Sequence, residues 1–299
     1  MLKNIIEIKH TISASKDYWA QSKESIQIKI WKLKLSFGIN KNRSYIPYIE
    51  THLCDHCNLN CKGCGHYSPL VKEKFTDIKQ FERDIKELSK KVSIRQIRLM
   101  GGEPLLHPDL NKFIEITRKY FPITDIRIVT NGILLPQMPQ AFWDILKKNK
   151  IIIDLSKYPP CKDKFNEYLE LIKKQKIEIG SINDGEIFYN QRNSRGDSDI
   201  VSTFNKCGSK NCVNLWNSKL YTCPACYIEY FNNYFDNENK ELPQSFDIYK
   251  LSGKELAQSV GKPISFCKYC NTESPRSFKW QKSQKEKTEW TEEFTPQTT

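Results

Sequence analysis

The residues with the most chemistry in this 299-residue sequence are its eleven cysteines, and they come in groups. Cys54 to Cys64 form one group, Cys207 to Cys226 a second, and Cys267 with Cys270 a third, while Cys161 stands apart. In a reducing compartment, clustered thiols more often hold metal than form disulfides. Cys57-Asn-Leu-Asn-Cys61-Lys-Gly-Cys64 places three thiolates on one short loop. Three are enough to ligate three irons of a four-iron cluster and leave the fourth iron open to another ligand. Zinc is the competing reading, because Cys54-x2-Cys57 and Cys61-x2-Cys64 imitate two zinc knuckles. In zinc ribbons and fingers, however, such pairs stand roughly a dozen or more residues apart so that the chain can fold back. Three intervening residues do not allow that return.

The later set reads Cys207-x4-Cys212-x10-Cys223-x2-Cys226, then Cys267-x2-Cys270. Six cysteines exceed what one zinc or one four-iron cluster needs. A structural zinc remains an open reading for this segment.

These groups need elements to carry them. Tyr48 to Leu53 reads as a strand running into the first cysteines. Ile78, Phe81, Ile85 and Leu88 recur at three- and four-residue steps, the mark of an amphipathic helix. Ile94 to Met100 reads as the next strand and ends at Gly101-Gly102. A helix over Leu110 to Tyr120 and a strand over Asp125 to Val129 follow, with Asn131-Gly132 at that strand's end. Gln140 to Lys148 (helix), Ile151 to Leu155 (strand), Phe165 to Lys174 (helix) and Ile177 to Ile179 (strand) continue the rhythm. Strands alternating with helices at this spacing specify a parallel sheet. The glycines and polar residues sit just past the strand ends, where parallel α/β folds build their sites. Residues 183–205 are polar and glycine-containing and read as a linker; the segments after them are short and punctuated by cysteine. Residues 1–45 read as a basic extension without an assigned role.

Together, Cys57-x3-Cys61-x2-Cys64, Gly101-Gly102-Glu103-Pro104 and Thr130-Asn131-Gly132 resemble the radical S-adenosylmethionine (SAM) superfamily over roughly residues 48–180. The resemblance implies a partial (β/α)6 barrel over 46–182, joined by the 183–205 linker to a small iron–sulfur domain over 206–299. It implies that Cys57, Cys61 and Cys64 hold a four-iron cluster whose open iron takes the amino and carboxylate groups of SAM. Gly101, Gly102, Glu103 and Pro104 would receive the SAM ammonium, and Asn131 and Ser156 its ribose or carboxylate. The residue before the third cysteine is usually aromatic in that superfamily and packs on the adenine. Here it is Gly63, with Tyr67 a substitute. His56, beside a ligand, is the candidate for tuning the cluster through a hydrogen bond.

Cys207, Ser218 and Cys223 resemble the opening of SPASM and twitch extensions, with Ser218 where glycine usually stands. That resemblance implies one auxiliary four-iron cluster on Cys223, Cys267, Cys270 and either Cys207 or Cys212. Cys226 is then a spare thiol and the candidate hydrogen-atom donor.

The implied reaction is cleavage of SAM to a 5′-deoxyadenosyl radical that takes a hydrogen atom from substrate. A sugar or nucleotide-linked sugar, dehydrogenated or epimerised, is the first reading; a peptide or protein substrate is the second. A zinc-binding interaction protein is the reading from another class. A flavodoxin- or ferredoxin-type electron donor is the implied partner. The formal charge of +12 is spread along the chain, with no short Lys/Arg block interleaved with aromatics, which argues against nucleic acid. No run of eighteen apolar residues occurs, and Lys3, Glu7 and Lys9 interrupt the start, so a cytoplasmic address is expected.

Overall fold

The computed structural model describes residues 6–14, 22–30, 33–39, 43–190, 192–193, 195–224 and 244–292. The basic extension carries β1 (Ile6–Ala14), β2 (Ser22–Ile30) and β3 (Leu33–Ile39). They pair antiparallel in order, as a separate three-stranded sheet.

The strand–helix rhythm follows the sequence closely. In order come β4 (Ser44–Cys54), α1 (Ile78–Lys91), β5 (Val92–Gly101), α2 (Leu110–Tyr120) and β6 (Asp125–Thr130). Then come α3 (Gln140–Lys148), β7 (Ile152–Lys157), α4 (Phe165–Lys174) and β8 (Glu178–Asp184). Strands β4 to β8 are parallel neighbours in chain order. α1 starts where the Asp77 carboxylate accepts the Gln80 N–H at 2.7 Å and ends on Lys90 and Lys91, which suit the negative end of the helix dipole.

The strands are two-faced. Ile97 and Leu99, Ile126 and Ile128, and Ile153 and Leu155 are fully buried, in one core with Phe81, Ile85, Phe113, Phe142 and Ile172 of the helices. The alternate positions carry Tyr48, Glu50 and His52 on β4, Arg98 on β5, Arg127 on β6 and Asp154 on β7. Register sets Glu50 beside Arg98, and Arg98 beside Arg127. A parallel sheet covered by helices on one face therefore turns a charged row toward the other.

Residues 183–205, expected to be a linker, are structured: β9 (Ile187–Asn190), β10 (Arg192–Asn193) and α5 (Ile200–Lys206) lie there. These strands are four and two residues long, too short for a strand period to show in the sequence. The cysteine-rich segment also continues the main sheet. β11 (Asn214–Trp216) pairs parallel with β4, and β12 (Lys219–Tyr221) and β13 (Ser245–Asp247) extend the edge antiparallel. The strand parallel to β4–β8 that makes six thus comes from beyond the linker. The β11–β12 turn, Asn217-Ser218, has positive φ at both residues, as a tight hairpin requires. Ser218 (φ 65) occupies the glycine-favouring region expected from the resemblance, and buried Asp84 of α1 accepts both its N–H (2.9 Å) and its hydroxyl (3.0 Å). α6 (Gly253–Ser259), opened by a Ser252–Glu255 capping box, follows. β14 (Arg276–Lys279) pairs with β9, and β15 (Thr291–Glu292) with β10. No helix among the described residues is long and apolar enough to cross a membrane.

Candidate active site

The cysteine loop leaves the end of β4, and its first thiol does not join the others. Cys54 is 1% exposed and donates to the Glu103 carbonyl at 2.8 Å, and burial pushes its thiol up to about 12. This removes the fourth member of the paired-knuckle zinc reading. Cys57, Cys61 and Cys64 all line one cavity of about 480 Å³. N–H groups point at their sulfurs: Leu59 N donates to Cys57 Sγ at 3.4 Å, and the Trp280 indole Nε1 donates to Cys61 Sγ at 3.1 Å. Such donors stabilise a thiolate more than a thiol. Burial pushes the Cys61 thiol up to about 12 and the Trp280 bond pulls it down. Among the described residues no three His, Cys, Asp or Glu side chains gather as ligands of a single ion. Thiolates around a four-iron cube each hold a different iron and stand further apart. Lining one cavity together, the three thiols suit a cluster.

The loop is held from a distance in sequence. Lys62 N donates to Gln281 O at 2.9 Å, Ser283 N to Asn60 O at 2.9 Å, and Trp290 Nε1 to Cys64 O at 2.8 Å. On the other side, a Cβ on Gly101 or Gly102 would strike the carbonyls of Cys54 and His56; only glycine lets the end of β5 approach this loop.

The Gly-Gly-Glu-Pro residues divide their labour. Gly101 and Gly102 line the cavity with Asn131 and Ser156. Glu103 is fully buried: Oε1 accepts from Thr130 Oγ1 (2.7 Å) and Leu105 N (3.1 Å), and Oε2 from Asn131 N (2.9 Å). It thus ties the end of β5 to the end of β6, and Pro104 opens a short 3-10 turn behind it. Burial lifts its carboxyl to about 7 against these three donors. Asn131 Nδ2 donates to Asn58 Oδ1 at 2.7 Å and lies 3.9 Å from Cys57 Sγ.

Two expectations are corrected. The His56 ring faces away from the sulfurs: Nδ1 accepts from Lys74 N at 3.2 Å, and the ring packs edge-on against Phe75. Trp280 provides the bond to sulfur instead. Tyr67 is no free adenine platform, because its hydroxyl accepts from Arg192 Nε at 2.9 Å and its ring stacks on Trp290. The space beside Gly63 (φ 62) is filled by Phe278, whose ring a Cβ there would meet at 2.7 Å. Phe278 stacks on Phe188, which lines the cavity beside Tyr158.

Tyr48, Glu50 and Arg98 of the charged row line the cavity. Arg98 Nη2 and Arg127 Nη1 each pair with fully buried Asp154 at 3.0 Å, and Arg127 Nη2 with Asp125 at 2.7 Å. Glu50 is 3% exposed and accepts from the Tyr48 hydroxyl.

The second thiol set lies behind Arg192. Cys270 and Cys267 are pushed up by burial and by mutual repulsion with Cys223 and Cys207; Cys270 reaches about 11. Arg192 Nη1 donates to Cys270 Sγ at 2.6 Å, and its neighbours Cys270, Tyr67 and Cys223 hold its charge on against burial. A buried cation among four thiols fits an anionic cluster. Cys212 stands at the edge of this set: it lines the cavity, and its charged neighbours are Glu50 first, then Cys223 and Cys207. Cys226 lies outside the described residues. The sequence reading missed Glu50, Arg98, Arg192, Phe278 and Trp280; the polar alternation Tyr48-x-Glu50-x-His52 within an apolar strand was the available signal for the first.

This geometry, a cysteine loop at the end of the first parallel strand with a glycine-lined edge beside it, is that of a SAM-cleaving iron–sulfur enzyme. The chain belongs to the radical SAM superfamily, whose family model matches residues 52–178. It is 31% identical over 256 residues to a GTP 3′,8-cyclase of Alkaliphilus oremlandii, covering 76% of this chain and 77% of that protein. The match to a GTP 3′,8-cyclase of Clostridium acetobutylicum is 37% over 125 residues and spans 40% of this chain and 38% of that protein. Among solved structures, BtrN in complex with AdoMet and 2-DOIA shares the fold at a TM-score of 0.50 and 18% identity, over 76% of this chain and 93% of that one. Membership brings a four-iron cluster, SAM and the need for an electron donor.

Proposed function

We propose that this enzyme takes a hydrogen atom from a C–H bond of a small, hydroxyl-rich substrate, a sugar or a sugar-bearing nucleotide, held in the 480 Å³ cavity beside Cys57, Cys61 and Cys64. Those three cysteines are the cluster ligands in this reading. The cluster and SAM, when bound, supply reductive cleavage of SAM and a 5′-deoxyadenosyl radical. The chain's own residues do the rest. Gly101, Gly102, Asn131 and Ser156 line the SAM end, and the Phe188–Phe278 stack offers the aromatic face that Gly63 lacks. Cys207, Cys223, Cys267 and Cys270 hold an auxiliary four-iron cluster of the twitch kind, with Arg192 offsetting its charge.

The observation that carries the substrate class is the polar and charged wall that Tyr48, Glu50 and Arg98 give the cavity. Buried charges of both signs suit a ligand with many hydrogen-bonding groups and suit an apolar one badly. The relatives' name adds GTP as the first candidate to test. The net charge of +12 fits an acidic flavodoxin- or ferredoxin-type donor.

The experiment is anaerobic incubation of reconstituted protein with SAM, dithionite and GTP or hexose nucleotides in deuterated water. A true substrate raises 5′-deoxyadenosine and emerges changed in mass, as a cyclised, dehydrogenated or deuterium-exchanged product. A panel in which no hydroxylated substrate raises 5′-deoxyadenosine above the substrate-free level would contradict the reading.

A further inference from the structure

Three residues of the cavity wall each carry a buried polar atom with no hydrogen-bond partner among the described residues: Glu50 Oε1, Ser68 Oγ and Arg98 Nε, of which the first and last are neighbours. Glu50 and Arg98 both line the cavity, and register pairs them directly across β4 and β5. Each is otherwise fixed. Glu50 accepts from the Tyr48 hydroxyl through Oε2, and the Tyr48 ring lies under the Arg98 guanidinium, 5.4 Å from ring centre to Cζ. Arg98 Nη2 is tied to Asp154 at 3.0 Å. Glu50 is 97% buried, so its spare oxygen is withdrawn from bulk water, and leaving it unpaired costs stability.

We propose that Glu50 and Arg98 form a reading point for one substrate hydroxyl, which donates to or accepts from Glu50 Oε1 and accepts from Arg98 Nε. The inference rests on the cavity being the substrate chamber. A hydroxyl suits the pair better than an ammonium or a carbonyl because it both donates and accepts. An ammonium has nothing to offer Arg98, and a carbonyl cannot satisfy an ionised Glu50. Burial pushes the Glu50 carboxyl up while Tyr48, His52, Asn214 and Arg98 pull it down, and a hydroxyl serves either protonation state. Asn214, beside Glu50 in the sheet, and Cys212 complete this corner. The pair sits on two central strands, so the contact is rigid and would fix which carbon faces the SAM end.

The test is a ligand-observed NMR titration of the reconstituted holoprotein with myo-inositol, D-ribose and GTP, using 1,4-dioxane as an acceptor-only control. Wild type should bind at least one hydroxylated probe and not dioxane. Glu50→Met keeps most of the side-chain length and removes the oxygen that would meet the hydroxyl. Arg98→Lys keeps the cation opposite Asp154 and removes the Nε donor. Each should weaken the bound probe about tenfold, the worth of one buried hydrogen bond. Absence of hydroxylated-probe binding by wild type, or binding undiminished in either variant, overturns the proposal. SAM cleavage by wild type is measured in the same preparation. Its absence would sink the functional reading alone, while its presence with an unchanged titration would sink only the pair.

Discussion

Trp280→Phe isolates one bond. The indole Nε1 donates to Cys61 Sγ at 3.1 Å, short for a donor meeting sulfur, and phenylalanine keeps most of the ring while deleting the N–H. A hydrogen bond to a charged acceptor contributes about 1.5–3 kcal/mol. Reduction puts more charge on the sulfurs, so the bond favours the reduced cluster. If about a third of its worth distinguishes the two states, the difference is about 0.5–1 kcal/mol. For a one-electron couple, where a tenfold change in equilibrium is about 59 mV, that lowers the midpoint potential by about 20–45 mV. The assay is an EPR-monitored redox titration of the reconstituted protein, following the signal that responds to SAM. Trp280→Phe should shift that signal to lower potential and leave the other cluster's unmoved. An SAM-responsive signal whose potential is unchanged in Trp280→Phe would refute the reasoning, because the N–H would then not touch a ligand of that cluster.

Two further outcomes follow from the geometry. Cys207→Ala should lose auxiliary iron, whereas Cys212→Ala should keep it, because Cys212 lines the cavity and has Glu50 as its strongest charged neighbour, ahead of Cys223 and Cys207; iron and sulfide analysis checks this. Glu103 gives a pH signature. Its folded carboxyl, lifted to about 7 by burial, binds more protons than the unfolded one between about pH 4.5 and 7, so its contribution to stability falls as pH rises through that window. The loss is about 3 kcal/mol, and chemical denaturation should show Glu103→Gln flattening that slope.

The parallel sheet and its helices were legible because each element announces itself locally. Apolar residues at helical period face the sheet in α1 to α4, and glycines mark the ends of β5 and β6. The N-terminal strands were legible in principle too, since Ile6, Ile8 and Ile12, then Ile26, Ile28 and Ile30, alternate at strand period. The site was legible only where its residues are close in sequence. Trp280, Phe278 and Trp290 reach the cysteine loop from more than two hundred positions away, and no local pattern couples them. Spacing does not choose between Cys207 and Cys212, because both precede the same hairpin, and in the fold both stand near Cys223. Gly63 looked like the loss of an aromatic contact. It is the opening that admits Phe278.

The central claim is that Cys57, Cys61 and Cys64 hold the cluster at which SAM is cleaved. The direct measurement compares iron content and 5′-deoxyadenosine formation in anaerobically reconstituted wild type and the Cys57→Ala/Cys61→Ala/Cys64→Ala variant. The account predicts that the variant loses about four irons, forms no 5′-deoxyadenosine under dithionite, and stays brown from its auxiliary cluster. A variant that still forms 5′-deoxyadenosine, or one that keeps its full iron, would contradict it.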